Sequence, residues 1–160
     1  MTHAIYPGSF DPFTNGHLDI VKKASQIFNK VTIVIAINNK KTKTYNVKKM
    51  CEAIEYTLKE NNIHNCKVGT WDGLVADLMK QWQVKYMIRG LRNNMDYNYE
   101  ENIAEINKLI YPDIEYIYLR AENIAISSSM VKELNSYSLD VSQYVPHSVF
   151  NIIKGVDYND

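Results

Sequence analysis

The chain has 160 residues, and its 18 basic residues balance its 18 acidic residues to give a formal net charge of zero. A chain of this length can bury its own core, so we expect one domain over residues 1–160 with a frayed tail at about 156–160. The neutral charge argues against bulk attraction to nucleic acid or to an anionic membrane. No apolar run approaches the ~20 residues that span a bilayer, and the N-terminus lacks signal-peptide features, so we expect a cytoplasmic protein.

Strands and helices are predicted to alternate along the first half of the chain. A strand at residues 4–6 breaks at Pro7-Gly8 and leads into an amphipathic helix. Residues 31–37 are almost continuously apolar and β-branched, as in a strand covered on both faces. Asn46 is the expected N-cap of the next helix, and Asp72 that of the helix after a short strand at 67–68.

The second half continues this alternation. A strand at 86–88 precedes a helix that ends near Pro112, and a strand at 114–119 precedes helices starting near Ser128 and after Pro146. The order predicts the α/β class, a Rossmann-like doubly wound parallel sheet of about five strands with flanking helices. Ligands bind such sheets beyond the carboxyl ends of the strands, where four chemically suggestive segments are expected to meet.

The first segment, residues 8–17, reads Gly-Ser-Phe-Asp-Pro-Phe-Thr-Asn-Gly-His between a strand and a helix. Gly8 permits close approach of a phosphate, and Ser9 offers a hydroxyl and an N–H group. Asp11 and Thr14 can brace the turn. The free N–H groups and dipole at the helix start favour an anion there, and His17 adds a side-chain donor.

Lysines form the second segment. Lys40, Lys41 and Lys43 follow the second strand. Most lysine clusters belong to solvated loops, but one of these ammonium groups could reach a phosphate as a flexible point charge.

Arginines form the third segment, at the end of the fourth strand. Arg89 and Arg92 carry guanidinium forks that match phosphate oxygens in bidentate geometry. Glu100, at a predicted helix start, either favours the helix dipole or holds an arginine or a nucleotide.

A serine run forms the fourth segment. Ser127 or Ser128 could simply cap the following helix. With Ser129, the three hydroxyls and nearby N–H groups also suit terminal phosphates, and the two interpretations are compatible.

Together these segments resemble the nucleotidylyltransferase superfamily and, within it, the bacterial phosphopantetheine adenylyltransferases. The resemblance rests on residues 6–20, 88–92, 96–100 and 126–129, in matching order and spacing over about residues 2–154. It implies reversible transfer of an adenylyl group from ATP to 4′-phosphopantetheine, giving dephospho-coenzyme A and pyrophosphate, the penultimate step of coenzyme A synthesis. It also implies Mg²⁺ as cofactor, although no residue is predicted to ligate a metal, and a cytoplasmic homohexamer.

The resemblance also implies roles for individual residues. Catalysis falls to His17 and Lys41, with Ser9 orienting the reactants. The acceptor-binding positions are Ser9, Lys41, Val75 and Arg89. The ATP-binding positions are Ser9, Phe10, His17, Gly90, Leu91, Arg92, Glu100, Asn123, Ile124, Ala125, Ile126, Ser127, Ser128 and Ser129.

Two other functions are also compatible with the sequence. One is nucleotidylyl transfer to nicotinamide mononucleotide or to a polyol phosphate. Polyol-phosphate enzymes usually carry a histidine where this chain has Thr14, and an Arg-Thr-x-Gly-Ile-Ser segment that is absent here. The other is a nucleotide-binding module without catalysis, against which the retention of His17, Lys41 and the arginine pair argues.

Overall fold

The computed structural model describes residues 1–38, 42–91, 103–122 and 126–155. In these residues five strands alternate with six helices. The strands are β1 (His3–Gly8), β2 (Lys30–Ile37), β3 (Cys66–Asp72), β4 (Tyr86–Leu91) and β5 (Glu115–Arg120). The helices are α1 (Asn15–Ile27), α2 (Val47–Glu60), α3 (Val75–Trp82), α4 (described over 103–110), α5 (Ser128–Ser136) and α6 (His147–Ile153). The predicted frayed tail at 156–160 lies outside the described residues.

The strands form one parallel sheet in the order β3-β2-β1-β4-β5. The predicted Rossmann-like parallel sheet of about five strands is therefore confirmed. The chain leaves β1 towards β2 on one side and later returns to place β4 on the other. This reversal puts the topological switch point beyond Gly8 and Leu91, at the carboxyl ends of β1 and β4.

Successive residues of the central strands point to opposite faces of the sheet, and each face has its own hydrophobic core. Tyr6 and Ile33 belong to a core packed with residues of α1, α2, α5 and α6. Ile5 and Val34 belong to a second core packed with residues of α3 and with Tyr111. Because both faces are covered, the strand sequences read as apolar runs rather than as alternating patterns.

Helix and strand boundaries follow the predictions with two corrections. Asn46 caps α2 by accepting from the N–H of Lys49 at 2.9 Å, as predicted. Asp72 was wrong as a cap, because β3 stays paired with β2 as far as Asp72 and Leu74 takes the N-cap position without a side-chain bond. The expected break at Pro7-Gly8 was also wrong, because both residues remain in register with β2.

Candidate active site

The loop after β1 is fixed by the buried carboxylate of Asp11. Its two oxygens accept from the backbone N–H groups of Thr44 and Tyr45 at 2.9 and 3.0 Å. Lys132 of α5 lies 3.8 Å from the same carboxylate. Asp11 therefore braces the turn, as the sequence suggested, by joining it to the loop that follows β2.

His17 lies in the first turn of α1 and forms a reciprocal cap with Thr14. The Thr14 hydroxyl accepts from the His17 N–H at 3.3 Å, and Nδ1 of His17 accepts from the Thr14 N–H at 2.9 Å. A neutral imidazole has one N–H and one acceptor nitrogen, so the proton must lie on Nε2. The cap thus makes Nε2–H a donor in the neutral ring.

Two phenylalanines hold the plane of this imidazole. The Phe13 ring stacks on it with centroids 5.5 Å apart, and Phe10 meets it edge-on at 4.9 Å. Phe10 itself has a left-handed φ of 44° and is 3% exposed. A Cβ on Gly8 would lie 2.9 Å from the Phe10 ring, so this position requires glycine for the ring to pack here.

A cavity of about 310 Å³, here called the His17 cavity, lies at the switch point of the sheet. The structure brings ten of the predicted site residues into its lining. They are Ser9, Phe10, His17, Arg89, Gly90, Leu91, Ile126, Ser127, Ser128 and Ser129. Tyr6, Thr14 and Ile20 also line it and were not predicted as site residues.

A second cavity of about 630 Å³, the Val75 cavity, lies on the other side of the β1 end. Its lining includes Val75, the ends of β2 and β3, and residues of α4 and β5. Ser9 and Arg89 line both cavities, together with Pro7 and Gly8. The carboxyl end of β1 is therefore a wall shared by two adjoining cavities.

Arg89 is tied to that wall by its own side chain. Nη1 donates to the carbonyl oxygen of Pro7 at 2.8 Å, which holds the half-buried guanidinium at the junction of the cavities. Below it, burial raises the pKa of the Tyr6 phenol, an effect that the nearby Arg89 cation partly opposes. Tyr6 therefore contributes a neutral hydroxyl to the lining of the His17 cavity, and Arg89 supplies a fixed positive charge there.

The serine run has a divided role. Ser127 caps α5 by accepting from the Met130 N–H at 3.1 Å, and the Ser128 hydroxyl donates to the Pro12 carbonyl at 2.7 Å. Ser129 is exposed, and its hydroxyl makes no hydrogen bond with residues that the structure describes. The capping interpretation is thus confirmed for Ser127, while Ser129 lines the His17 cavity and takes no part in the cap.

Six predicted site residues lie outside the described part of the chain. They are Lys41, Arg92, Glu100, Asn123, Ile124 and Ala125.

The described lining of the His17 cavity offers hydroxyl and backbone oxygens but no carboxylate. The described residues likewise contain no cluster of three or more histidine, cysteine or acidic side chains suited to a metal. Asp11 already accepts two backbone bonds. The donor set therefore fits Mg²⁺ only as an ion that takes most ligands from phosphate and water, which is how it commonly binds.

Two features of the site escaped the sequence interpretation. In the Val75 cavity, Nδ2 of Asn107 donates to the Tyr116 hydroxyl at 2.6 Å. The signal for Asn107 is a polar residue four positions after Ile103 on an otherwise apolar helix face. At the shared wall, Nζ of Lys43 donates to the Ser9 carbonyl oxygen at 2.7 Å, and no local pattern indicates this contact.

Comparison with known sequences agrees with this geometry. Residues 5–134 match the model of the cytidylyltransferase-like family. A phosphopantetheine adenylyltransferase of Shouchella clausii is 40% identical over 160 residues, covering 98% of each chain. The enzyme of the same name from Heliobacterium modesticaldum is 38% identical and covers 93% of this chain and 89% of its own.

Solved structures share the fold at low identity. A nicotinic acid mononucleotide adenylyltransferase of Plasmodium falciparum has a TM-score of 0.71 at 18% identity, covering 99% of this chain and 97% of that one. A candidate nicotinate-nucleotide adenylyltransferase of Vibrio parahaemolyticus has a TM-score of 0.68 at 14% identity, covering 97% and 93%. These likenesses support the architecture, whereas the family follows from the sequence relatives. The chain belongs to the cytidylyltransferase-like family and, within it, to the phosphopantetheine adenylyltransferases.

Proposed function

We propose that this nucleotidyltransferase transfers the adenylyl group of ATP to 4′-phosphopantetheine, giving dephospho-coenzyme A and pyrophosphate. The observation that carries the proposal is the shared wall of Ser9 and Arg89 between two cavities at the switch point. Two ligands bound in adjoining cavities meet at such a wall, as a transfer between them requires. Identity of about 40% to named relatives over nearly the whole chain supports the same reaction.

The His17 cavity is assigned to ATP and the Val75 cavity to the acceptor. The acceptor phosphate attacks the α-phosphorus in line, and pyrophosphate departs from the opposite side. A phosphate monoester is largely ionised near neutral pH, since its second pKa is about 6. The nucleophile therefore needs no general base, and catalysis rests on positioning and on charge stabilisation.

The predicted catalytic and binding residues would meet this demand. Nε2–H of His17 would stabilise negative charge on the α-phosphoryl oxygens, together with Lys41. Ser9 would orient both reactants, and Arg89 would hold the acceptor phosphate beside it. Pinning of the imidazole by Phe10 and Phe13 means that its donor is already oriented before the substrates bind.

Binding of the nucleotide would use the remaining predicted positions. The adenine side is assigned to the chain from Asn123 to Ala125. Other contacts with ATP are assigned to Gly90, Leu91, Glu100 and Ile126. Arg92 and the serines at 127–129 would hold the terminal phosphates. Mg²⁺ bound to these phosphates would neutralise charge on the departing pyrophosphate.

We further propose that the enzyme works as a homohexamer in the cytoplasm, in keeping with the family that its motifs resemble. None of the helices that the structure describes is both long and apolar enough to cross a membrane. Light scattering on the purified protein measures the assembly directly, and a monomer mass would contradict the hexamer.

Pyrophosphate release across a panel of acceptors tests the function. With ATP present, we expect release with 4′-phosphopantetheine and none above background with nicotinamide mononucleotide or a polyol phosphate. Release with a different acceptor alone would reassign the substrate. Tight ATP binding without release for any acceptor would indicate a binding module.

A further inference from the structure

The Ser9–Phe10 peptide bears a contact that the proposed mechanism does not use. Nζ of Lys43 donates to the Ser9 carbonyl oxygen at 2.7 Å, across 34 positions of sequence. That carbonyl belongs to the peptide unit joining Ser9, which lines both cavities, to Phe10. Its orientation therefore sets the backbone geometry of both residues.

This peptide unit needs an external constraint. Phe10 has a φ of 44°, a region that L residues with large side chains rarely occupy and that persists only when the surroundings fix it. The Phe10 ring lies edge-on against the His17 imidazole at 4.9 Å. Movement of the peptide plane would consequently displace the Ser9 hydroxyl and the ring that contacts His17.

Lys43 is presented from a fixed backbone. The next two residues, Thr44 and Tyr45, donate their N–H groups to the Asp11 carboxylate. Tyr45 is only 8% exposed and belongs to the same core as Tyr6 and Ile33, and Asn46 caps α2. The ammonium group of Lys43 therefore comes from an anchored segment.

The ammonium group of Lys43 is only partly buried. Burial lowers the pKa of its ammonium group, Asp11 opposes this effect, and Lys132 adds to it. A lysine whose pKa is lower in the folded chain than in the unfolded chain has a charged form that folding disfavours. Because Lys43 is only partly buried, the effect of this charge on the folding free energy is small, and we expect its removal to change the melting temperature little.

We propose that Lys43 is a positioning residue: its ammonium group locks the Ser9–Phe10 peptide so that Ser9 and His17 present one fixed geometry to the two reactants. This inference rests on the proposed function. Lys43 touches neither reactant; it acts through the backbone of Ser9.

The test compares three single variants in the pyrophosphate assay. Lys43→Met keeps the length of the stem and removes the donor, and we expect kcat to fall on the order of 10-fold, since small misplacement at a reacting centre is costly. The melting temperature should change little, because Lys43 is only partly buried. Lys43→Arg, which can still donate to the carbonyl, should recover kcat to within about threefold. Lys154→Met is the matched control, because it removes an equal charge at the C-cap of α6, where Lys154 lies over the Phe150 ring.

A double-mutant cycle with Ser9→Ala tests whether Lys43 acts through Ser9. We expect Lys43→Met to cost less in the Ser9→Ala background than in the wild type, because part of its effect passes through the Ser9 hydroxyl and coupled residues are not additive. An unchanged kcat in Lys43→Met, or its full loss repeated in the Ser9→Ala background, would overturn the proposal.

Hydrogen exchange gives a readout independent of the reaction. Exchange of a peptide covering residues 8–13 should accelerate in Lys43→Met and not in Lys154→Met. Equal exchange in the two variants would refute the lock. If the wild type released no pyrophosphate, the proposed function would fail, while faster exchange would still support the lock.

Discussion

The backbone N–H of Thr14 donates to Nδ1 of His17 at 2.9 Å, so a single contact both caps α1 and selects the tautomer of the ring. A substitution at His17 consequently removes two things, a helix cap and a donor. Glutamine at this position separates them, because it can accept the same N–H as the third residue of a capping box while lacking a ring donor.

We expect His17→Ala and His17→Gln both to lower kcat by about 10²–10³-fold, the usual loss for one charge-stabilising donor. The dissociation constant for ATP should change far less, because the donor acts on charge that develops during transfer. Chemical denaturation should show His17→Gln to be the more stable of the two. Near-normal turnover in either variant would remove His17 from the mechanism.

Gly8→Ala should damage the site through the Phe10 ring. A Cβ at Gly8 would lie 2.9 Å from that ring, which contacts His17, so we expect a lower melting temperature and a kcat reduced about 10-fold or more. Gly69→Ala is the matched control, since a Cβ there meets nothing within 4 Å. Equal effects of the two changes would show that the packing of Phe10 does not matter.

Arg89→Ala should raise the KM for 4′-phosphopantetheine by about 10- to 100-fold, the range of a lost hydrogen bond to a charged group. Arg89→Lys should recover only part of this, because an ammonium lacks the fork that reaches Pro7 and a phosphate together. Arg120→Ala, at the exposed end of β5 and outside both cavities, serves as control. Steady-state kinetics with either substrate varied decides the outcome, and an unchanged acceptor KM would contradict the assignment.

Substitutions in the serine run should affect folding stability and ATP binding separately. Ser127→Ala removes the cap of α5 and should lower the free energy of unfolding by about 1 kcal/mol. Ser129→Ala should leave stability within about 0.5 kcal/mol. It should raise the KM for ATP about 2- to 10-fold.

Urea denaturation and steady-state kinetics give the two readouts. Ser136→Ala, at the far end of the same helix, is the control for the KM. The reverse pattern between Ser127 and Ser129 would show that the phosphate contact lies with the capping residue.

Alkaline pH should destabilise the fold through Cys66. Burial raises the pKa of its thiol to about 11 from an ordinary value of 9.0. The folded chain therefore holds this proton more tightly than the unfolded chain, and the stabilisation is complete below pH 9 and is lost as pH rises to about 11. We expect a loss on the order of 1–3 kcal/mol, measured by urea denaturation at several pH values.

Cys66→Ala should flatten that dependence between pH 9 and 10, whereas the Tyr6 phenol, whose pKa burial also raises, adds its own loss above its ordinary 10.0. An unchanged slope in Cys66→Ala would exclude the thiol as the cause.

Local signals in the sequence predicted what depends on neighbouring residues. The caps at Asn46 and Ser127 act within three positions of the chain, and both were predictable from residue type and spacing. The apolar runs predicted the parallel sheet, because strands covered on both faces must be apolar throughout. The carboxyl ends of these strands then had to converge, which placed the site.

Distant pairing accounts for what the sequence did not show. Asp72 looks like a helix cap locally, but pairing with β2 extends β3 through it. Asp11 was expected to brace its own turn, yet its partners Thr44 and Tyr45 lie 33 and 34 positions away. The Lys43 contact with Ser9 has the same long range, so only the folded chain shows it.

The wall common to the two cavities has a consequence for inhibitor chemistry. A bivalent compound could place one group in each cavity, with a linker that passes Ser9 and Arg89. It would make the contacts of two ligands but lose the translational entropy of only one molecule on binding. The length of its linker is the decisive variable, because a tether too short to cross the boundary forfeits one half entirely.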